Sequence, residues 1–190
     1  MSLLDCQRRT SATAGSILAC VLFALSYATG VGAASSSSNP EVRTEASARL
    51  SKVGEARLKV LLWSIYDSRL YTPSGEYVEG ERPLRLEIQY LRNVKAKALI
   101  EQTQKEWQAM GREHPRQEQW LGKLGELWPD IQAQDVLTLE LDADNAATFL
   151  HNGVAIGRFD DPDFGQHFVD IWVSEDCTRP ELRLSLLGKD

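Results

Sequence analysis

The apolar and polar residues between positions 57 and 90 follow patterns that predict two β-strands. Residues 58–66 are largely apolar on both faces, which is typical of a central strand covered on two sides, and the extended segment runs on to a turn at residues 73–75. Between residues 84 and 90 apolar and polar positions alternate, which predicts a half-buried strand. We therefore expect one long strand over 57–71 and a second over 84–90.

Two amphipathic helices are predicted to follow these strands. Apolar residues recur at helical spacing over 96–110 and again over 120–128, and Pro129 ends the second segment. Strand-like alternation returns over 136–141. The helices are therefore grouped together in the chain and do not alternate with strands.

The C-terminal third of the chain carries a hairpin signal and two helix starts. Asn152 and Gly153 lie between two short apolar runs, which is a strong hairpin signal. Asp161 is placed to cap a helix whose first residue is Pro162, and a last short helix is predicted to begin near Pro180. The resulting order of elements predicts an α+β fold, with helices packed on one face of a mainly antiparallel sheet.

Residues 1–33 have the composition of a secretory signal peptide. Arg8 and Arg9 form a short basic region, residues 17–25 are an unbroken apolar run, and small residues lead to a cleavage site after Ala33. A spanning helix needs about 20 apolar residues, and the stretch after the basic pair comes close to that length but contains several polar and glycine residues. We expect a cleaved signal peptide, with a retained membrane anchor as the alternative.

The rest of the chain is predicted to be a linker and one domain. Residues 34–48 are polar and Ser-rich, which is typical of a flexible linker, and residues 49–190 form the folded domain. Cleavage would remove 33 of the 190 residues and leave 157, and because Arg8 and Arg9 leave with Asp5, the formal charge would change from −6 to −7. We expect the protein to be exported to the periplasm.

Composition excludes several classes of function. The acidic balance argues against a nucleic-acid partner, which requires clustered Lys and Arg. Two of the three cysteines lie in the leader, so no disulfide framework is possible, and Cys177 is expected to be a small buried residue. Scattered histidines and the lack of a CxxC or HExxH motif do not support a metal site, and we predict no cofactor. Membrane contact is expected only through the signal segment, if it is uncleaved.

Arg57, Tyr66 and Tyr71 are the residues of the predicted first strand that could carry chemistry. An arginine and a tyrosine hydroxyl in an apolar cleft would hold a carboxylate or polarise a ketone. In an unbroken strand Arg57 and Tyr66 would lie on opposite faces, whereas a bulge between them would reverse that. The alternative is that Arg57 is a surface cation and that the tyrosines lie at the edge of the core.

Three further features have simpler structural explanations. The acidic run at residues 160–163 lacks the ligand spacing of a calcium loop and is explained by helix capping. His167 is expected to be a partly exposed helix residue rather than a catalytic base. The five tryptophans are expected to lie in the core or in the wall of an apolar cleft: Trp63, Trp107, Trp120, Trp128 and Trp172.

The order and spacing of several short motifs resemble the bacterial branch of the chalcone isomerase-like family. The resemblance covers about residues 53–188, nearly all of the predicted domain. The matching motifs are Gly54-x-Ala56-Arg57-Leu58, Ile65-Tyr66-Asp67-Ser68-Arg69-Leu70-Tyr71, Leu86-x-Ile88-x-Tyr90-Leu91-Arg92, Glu106-Trp107, Gly153-x-x-x-Gly157, Asp161-Pro162-x-Phe164, Ile171-Trp172-Val173-Ser174 and Leu186-Leu187-Gly188.

The resemblance implies an open-faced β-sandwich with the ligand cleft between the sheet and the helices. Plant enzymes of the family close a chalcone to a flavanone with the help of an arginine, a threonine and a tyrosine. Fatty-acid-binding relatives hold the carboxylate with an arginine and a tyrosine. By this resemblance Arg57 is the candidate arginine, and Tyr66 lies where the enzymes have threonine and the fatty-acid binders have tyrosine.

Three hypotheses follow for the domain. The first is a non-catalytic binder of an apolar carboxylate such as a fatty acid, with Arg57 as anchor, Tyr66 as hydroxyl donor, and Trp107 and Trp172 in the wall of the cleft. The second is an isomerase of the intramolecular lyase type acting on an enone, in which Arg57 stabilises an enolate and Tyr66 or Tyr71 donates a proton. The third is a partner-binding protein whose cleft is filled by its own side chains.

Overall fold

The computed structural model describes residues 50–189 of the chain. The predicted signal peptide at residues 1–33 and the predicted linker at residues 34–48 therefore lie outside the described residues.

Between residues 50 and 189, six antiparallel strands form one sheet, and their order across the sheet is their order along the chain. Each strand thus pairs with the next through a hairpin or a longer connection, which leaves the first and the last strand as the two edges. The strands are β1 (Ser51–Val60), β2 (Trp63–Thr72), β3 (Leu84–Tyr90), β4 (Val136–Leu141), β5 (Ala147–His151) and β6 (Val154–Phe159).

Within the described residues, four helices accompany the sheet, in two pairs along the chain. Within residues 50–189 no helix is both long and apolar enough to cross a bilayer. The helices are α1 (Ala96–Ala109), α2 (Gln117–Leu127), α3 (Pro162–Val173) and α4 (Pro180–Leu186).

The two faces of the sheet differ in polarity. On the inner face, alternate residues such as Leu86, Ile88 and Leu139 are buried and share one core with the helices. On the outer face, Arg85 of β3 pairs with Glu140 of β4 at 2.6 Å, and polar residues are half-buried. The predicted α+β fold, with helices on one face of an antiparallel sheet, is confirmed.

Local signals in the second half of the domain are also confirmed. Asn152 and Gly153 form the β5–β6 turn with φ angles of 51° and 80°, the left-handed conformation that such a tight hairpin needs. The Asp161 side chain caps α3 by accepting a hydrogen bond from the Asp163 backbone N–H at 3.1 Å, with Pro162 as first residue.

The prediction of one long strand over 57–71 is wrong. Residues 61–62 form a tight turn between β1 and β2, and Leu61 has a φ of 54°. The turn contains no Gly, Pro, Asn or Asp, so the sequence offered no signal to divide the strand. The segment is also not a central strand covered on both faces, because β1 is an edge of the sheet.

Helix α4 packs tightly on β1, and a glycine makes this possible. A Cβ atom on Gly54 would lie 2.5 Å from the Ser185 carbonyl oxygen and 2.6 Å from that of Leu186, which is too close for any side chain. Gly188, with a φ of 66°, follows the helix as its C-terminal cap. This contact holds the N-terminus of α4 beside the space between the sheet and the helices.

Candidate functional site

A cavity of about 500 Å³ lies between the inner face of the sheet and the helices. Its wall is formed mainly by aliphatic and aromatic side chains, with a small number of polar groups. The principal apolar lining residues are Leu58, Val60, Ile65, Leu86, Ile88, Val94, Leu99, Leu137, Leu139, Phe149, Phe168, Ile171 and Leu182. A concave, mostly apolar space with a few polar groups is the usual form of a small-molecule site.

The exposed lining residues mark where the cavity meets solvent. Val60 at the end of β1, Ala98 and Gln102 of α1, and Thr178 and Arg179 just before α4 all line the cavity and are exposed. The mouth therefore lies between the tip of the β1–β2 hairpin, α1 and the start of α4.

Tyr66 is the central polar side chain of the wall. Its hydroxyl oxygen accepts a hydrogen bond from the Trp172 indole N–H at 3.1 Å, and both residues line the cavity. Burial raises the pKa of Tyr66 to about 12, against the opposing effects of the Trp172 hydrogen bond and the positive charge of Arg179. The hydroxyl thus stays protonated at neutral pH, and its own hydrogen can be donated to an oxygen in the cavity.

The polar rim of the mouth combines a held carboxylate with a free cation. The Glu106 carboxylate accepts hydrogen bonds from the Gln102 amide at 2.7 Å and from the Thr178 hydroxyl at 2.5 Å. The side chain of Arg179, beside Thr178, is exposed and forms no hydrogen bond or ion pair with any of residues 50–189. Its guanidinium is therefore available to an anion at the mouth.

One donor in the wall has no partner among residues 50–189. The Trp128 indole N–H is buried and finds no hydrogen-bond acceptor within the described part of the chain. Trp128 lines the cavity, as does Tyr90, whose pKa is raised by burial. Because buried polar groups are nearly always satisfied in native proteins, an oxygen of water or of a ligand is the expected partner of this N–H.

Arg57 does not reach the cavity. It lies on the outer face of the sheet, opposite Asp67 in the β1–β2 register, and donates two hydrogen bonds to its carboxylate at 2.5 and 2.8 Å. These hydrogen bonds hold the pKa of Asp67 below its usual value. The cross-strand partner of Tyr66 is instead Leu58, a cavity residue, so Arg57 and Tyr66 lie on opposite faces.

Tyr71 and Trp107 also lie away from the cavity. Tyr71 is on the outer face, where its hydroxyl donates to Glu87 at 3.1 Å. Trp107 is fully buried and packs on His167 and Phe168 of α3, with its indole N–H donating to the His167 carbonyl at 3.1 Å. Of the five residues singled out from the sequence, the structure brings only Tyr66 and Trp172 together. The three candidate catalytic residues are divided between the two faces of the sheet, with Tyr66 on the inner face and Arg57 and Tyr71 on the outer face.

The acidic run at residues 160–163 and His167 both lie away from the cavity wall and make structural contacts. Asp161 caps α3, while Asp160 pairs with Arg158 at 2.6 Å. His167 is half-buried in an aromatic cluster, where burial, with smaller contributions from neighbouring positive charges, lowers its pKa to about 4. Nowhere in residues 50–189 do three His, Cys, Asp or Glu side chains meet in an arrangement that would hold a metal ion.

Sequence reasoning missed the residues of the rim. Glu106 was noticed only as part of a family motif, and Arg179 carried no signal because its position depends on how α4 packs against β1. The single available hint was Pro180, which marks the first residue of α4 and so places Arg179 at the N-cap position of that helix.

Comparison with known proteins identifies the family of the chain. A family model described as chalcone isomerase-like matches residues 47–188. The chain belongs to the chalcone isomerase-like family. A Haemophilus influenzae protein of uncharacterised function is 28% identical over 137 residues, which cover 72% of this chain and 67% of that protein.

A solved structure with the same fold is that of an Arabidopsis thaliana fatty-acid binding protein. It superposes with a TM-score of 0.58 at 11% sequence identity and covers 73% of this chain and 87% of the other. At this identity the likeness shows the fold alone.

Proposed function

We propose that this protein binds an apolar carboxylate, such as a fatty acid, without transforming it. The observation that carries the proposal is an apolar cavity of about 500 Å³ whose wall holds a protonated tyrosine, Tyr66. Its mouth holds the cation of Arg179, which has no ion-pair partner in the described part of the chain. Pockets for small ligands usually measure about 300–1,000 Å³. The fatty-acid-binding relative with the same fold supports the choice of ligand class.

In this proposal Arg179 takes the role that the resemblance assigned to Arg57. The hydrocarbon tail lies against the aliphatic and aromatic wall, where burial of apolar surface provides most of the affinity. The carboxylate stays near the mouth, accepts a hydrogen bond from Tyr66 and pairs with Arg179. A charge-assisted hydrogen bond to a guanidinium is stronger than one between neutral groups, so the anchor also gives selectivity for acids.

The other two hypotheses receive less support. The lyase hypothesis required Arg57, and in one form Tyr71, at the ligand, and both side chains are engaged on the outer face. The hypothesis of a cleft filled by its own side chains conflicts with the open volume of the cavity.

Direct binding measurements test the proposal. We expect native mass spectrometry of protein isolated from its own cells to show a bound acid, and calorimetry to show binding of palmitate. Ala98→Trp at the mouth is expected to weaken palmitate binding at least tenfold because the indole would occupy space that the bound ligand needs, whereas Ala109→Trp is the matched control. Ala109 is exposed on the same helix and does not line the cavity. Failure of the unmodified protein to bind palmitate, or equal loss in both variants, would refute the proposal.

We also propose that the protein acts outside the cytoplasm. The basic, apolar and small-residue regions at positions 1–33 support export. The test is to determine the N-terminal residue of the protein recovered from periplasmic extract and from membranes. A mature chain that begins at residue 34 in the periplasmic extract is expected, and full-length chain in the cytoplasm alone would contradict export.

A further inference from the structure

The tip of the β1–β2 hairpin exposes four consecutive apolar residues. Leu61 and Leu62 are 91% and 96% exposed, and the flanking Val60 and Trp63 are 43% and 59% exposed. The other four tryptophans are all less than a tenth exposed. Scattered exposed apolar residues are ordinary, but a contiguous group at a projecting turn marks a surface that contacts another apolar phase.

The charges around the tip are positive, although the chain as a whole is acidic. No Asp or Glu occurs within residues 56–66, which include the hairpin tip, or among residues 91–93, which lie against Trp63 and Ser64. Lys59 is exposed and has no ion-pair partner among residues 50–189. The Arg92 guanidinium carbon lies 4.1 Å from the centre of the Trp63 ring, held there because the Leu91 N–H donates to the Ile65 carbonyl at 2.9 Å.

An arginine over a tryptophan, beside aliphatic residues, suits the boundary between hydrocarbon and head groups. Tryptophan is enriched at that boundary, and long cationic side chains extend from it toward the head groups. Anionic lipid attracts each nearby Lys or Arg by about 1 kcal/mol, while the acidic remainder of the protein would be repelled. The charge distribution therefore favours docking by the hairpin tip and not by another part of the surface.

The tip adjoins the mouth of the cavity. Val60 belongs to both, because it is exposed at the end of β1 and also lines the cavity. Across the mouth, Ala98 of α1 is exposed and lines the cavity as well. A bilayer touched by the tip would therefore lie next to the opening through which a lipid-like ligand must pass.

We infer that the hairpin tip, residues 60–63, docks the protein on the surface of an anionic lipid bilayer and brings the mouth of the cavity to that surface. The inference deepens the proposed function and rests on it in one respect, since it makes the membrane the source or the destination of the apolar ligand. It places a membrane contact within the folded domain, apart from any contact that an uncleaved signal segment would make.

Flotation with lipid vesicles tests the docking step. Vesicles of phosphatidylcholine and phosphatidylglycerol in a two-to-one ratio are compared with vesicles of phosphatidylcholine alone. The protein is expected to float with the anionic vesicles, more weakly with the neutral ones, and less at high salt. The double variant Leu61→Ser/Leu62→Ser is expected to lower the partition coefficient by about tenfold or more, because two leucine side chains no longer enter the bilayer.

Val154→Ser is the matched control for that variant. Val154 is 68% exposed at the β5–β6 hairpin, and β6 is the opposite edge of the sheet from β1. Equal loss of flotation in the two variants, or full flotation of the double variant, would overturn the inference. A third result would also overturn it: the wild-type protein does not bind vesicles but sediments as a dimer, and the double variant sediments as a monomer. The tip would then contact a second copy of the chain.

Two further measurements separate this inference from the proposed function. Brominated lipids are expected to quench the fluorescence of the wild-type protein and not that of a Trp63→Phe variant, since the other tryptophans are buried. In the Leu61→Ser/Leu62→Ser variant we expect the affinity for free palmitate to be unchanged, while transfer of a fluorescent fatty acid from vesicles to the protein slows at least tenfold. If transfer to the double variant is as fast as transfer to the wild-type protein, the membrane inference is overturned. If the wild-type protein does not bind palmitate, the proposed function is refuted.

Discussion

The Trp172 indole N–H donates a hydrogen bond to the Tyr66 hydroxyl at 3.1 Å and so joins α3 to β2 across the wall of the cavity. The two residues are 106 positions apart in the chain, so the bond depends on the packing of the helix on the sheet. It also fixes the direction of the Tyr66 hydroxyl, because the oxygen is occupied as an acceptor and the hydrogen is left to be donated.

A double-mutant cycle on this pair measures both functions of the bond. We expect Tyr66→Phe and Trp172→Phe to show a coupling energy of about 0.5–1.5 kcal/mol in urea unfolding, the net value of one hydrogen bond. Tyr66→Phe should also weaken palmitate binding about fivefold to tenfold, since a donor to the carboxylate is lost. Methyl palmitate, which lacks the carboxylate charge, should lose less. Additive stability effects would show that the bond contributes nothing to stability.

The effect of removing an arginine should depend on the face of the sheet. Arg179→Gln is expected to weaken palmitate binding by about tenfold, because a charge-assisted contact at the mouth is lost. Arg57→Gln removes the same charge on the outer face, where the arginine is engaged with Asp67, and should leave palmitate affinity unchanged. Calorimetric titration of both variants is the measurement. A larger effect at Arg57 would restore the assignment implied by the family resemblance.

Local patterns predicted most of the fold because the signals are local. The caps, the Asn152–Gly153 turn and the alternation along β3 and β4 each act over a few residues, and all of them hold in the structure. The β1–β2 hairpin was missed since Leu61 and Leu62 have no turn chemistry, and an unbroken apolar run normally indicates burial.

The site was predictable only in part. Tyr66 and Trp172 were singled out from the sequence, and both line the cavity. Arg57 was wrongly assigned to the cleft by the family resemblance. The alternation of residues along a strand had already indicated that Arg57 lies on the face opposite Tyr66. Arg179 could not have been found from the sequence, since nothing in its neighbourhood encodes the contact of α4 with β1 that brings it to the mouth.

Acid should destabilise the protein through His167. Burial lowers the pKa of this histidine to about 4, below the unfolded value of about 6.5, so the unfolded chain binds more protons between these values. The contribution to stability is fully present above pH 6.5 and is lost as the pH falls from 6.5 towards 4. After allowance for the partial exposure of the ring, we expect a loss of about 1–2 kcal/mol.

The variant His167→Gln isolates this effect. Glutamine retains a hydrogen-bonding group near the Gln117 amide, which lies 2.9 Å from the His167 Nε2 atom, but does not titrate. Urea unfolding of both proteins at a series of pH values should show a flatter dependence for the variant between pH 6.5 and 4. Asp135, whose pKa is lowered to about 2 mainly by a hydrogen bond from Asn152, loses its contribution only below pH 4. An identical pH dependence for both proteins would exclude His167 as the cause.

Two glycine-to-alanine substitutions should change stability in opposite directions. At Gly54 a Cβ would lie 2.5–2.8 Å from backbone atoms of residues 185, 186 and 188, so β1 and the end of α4 must separate, at a cost of about 2–3 kcal/mol. At Gly122, within α2, a Cβ meets no atom within 4 Å, and alanine should stabilise the helix by about 1 kcal/mol.

Palmitate binding distinguishes a local effect from a general one. Because α4 contributes Leu182 to the wall and begins directly after Arg179, displacement of the helix by Gly54→Ala should also weaken palmitate binding. Gly122→Ala should leave binding unchanged while raising the urea midpoint. A Gly54→Ala protein with normal stability and normal affinity would mean that β1 and α4 are not held in contact in solution, and that Arg179 does not owe its position to that contact.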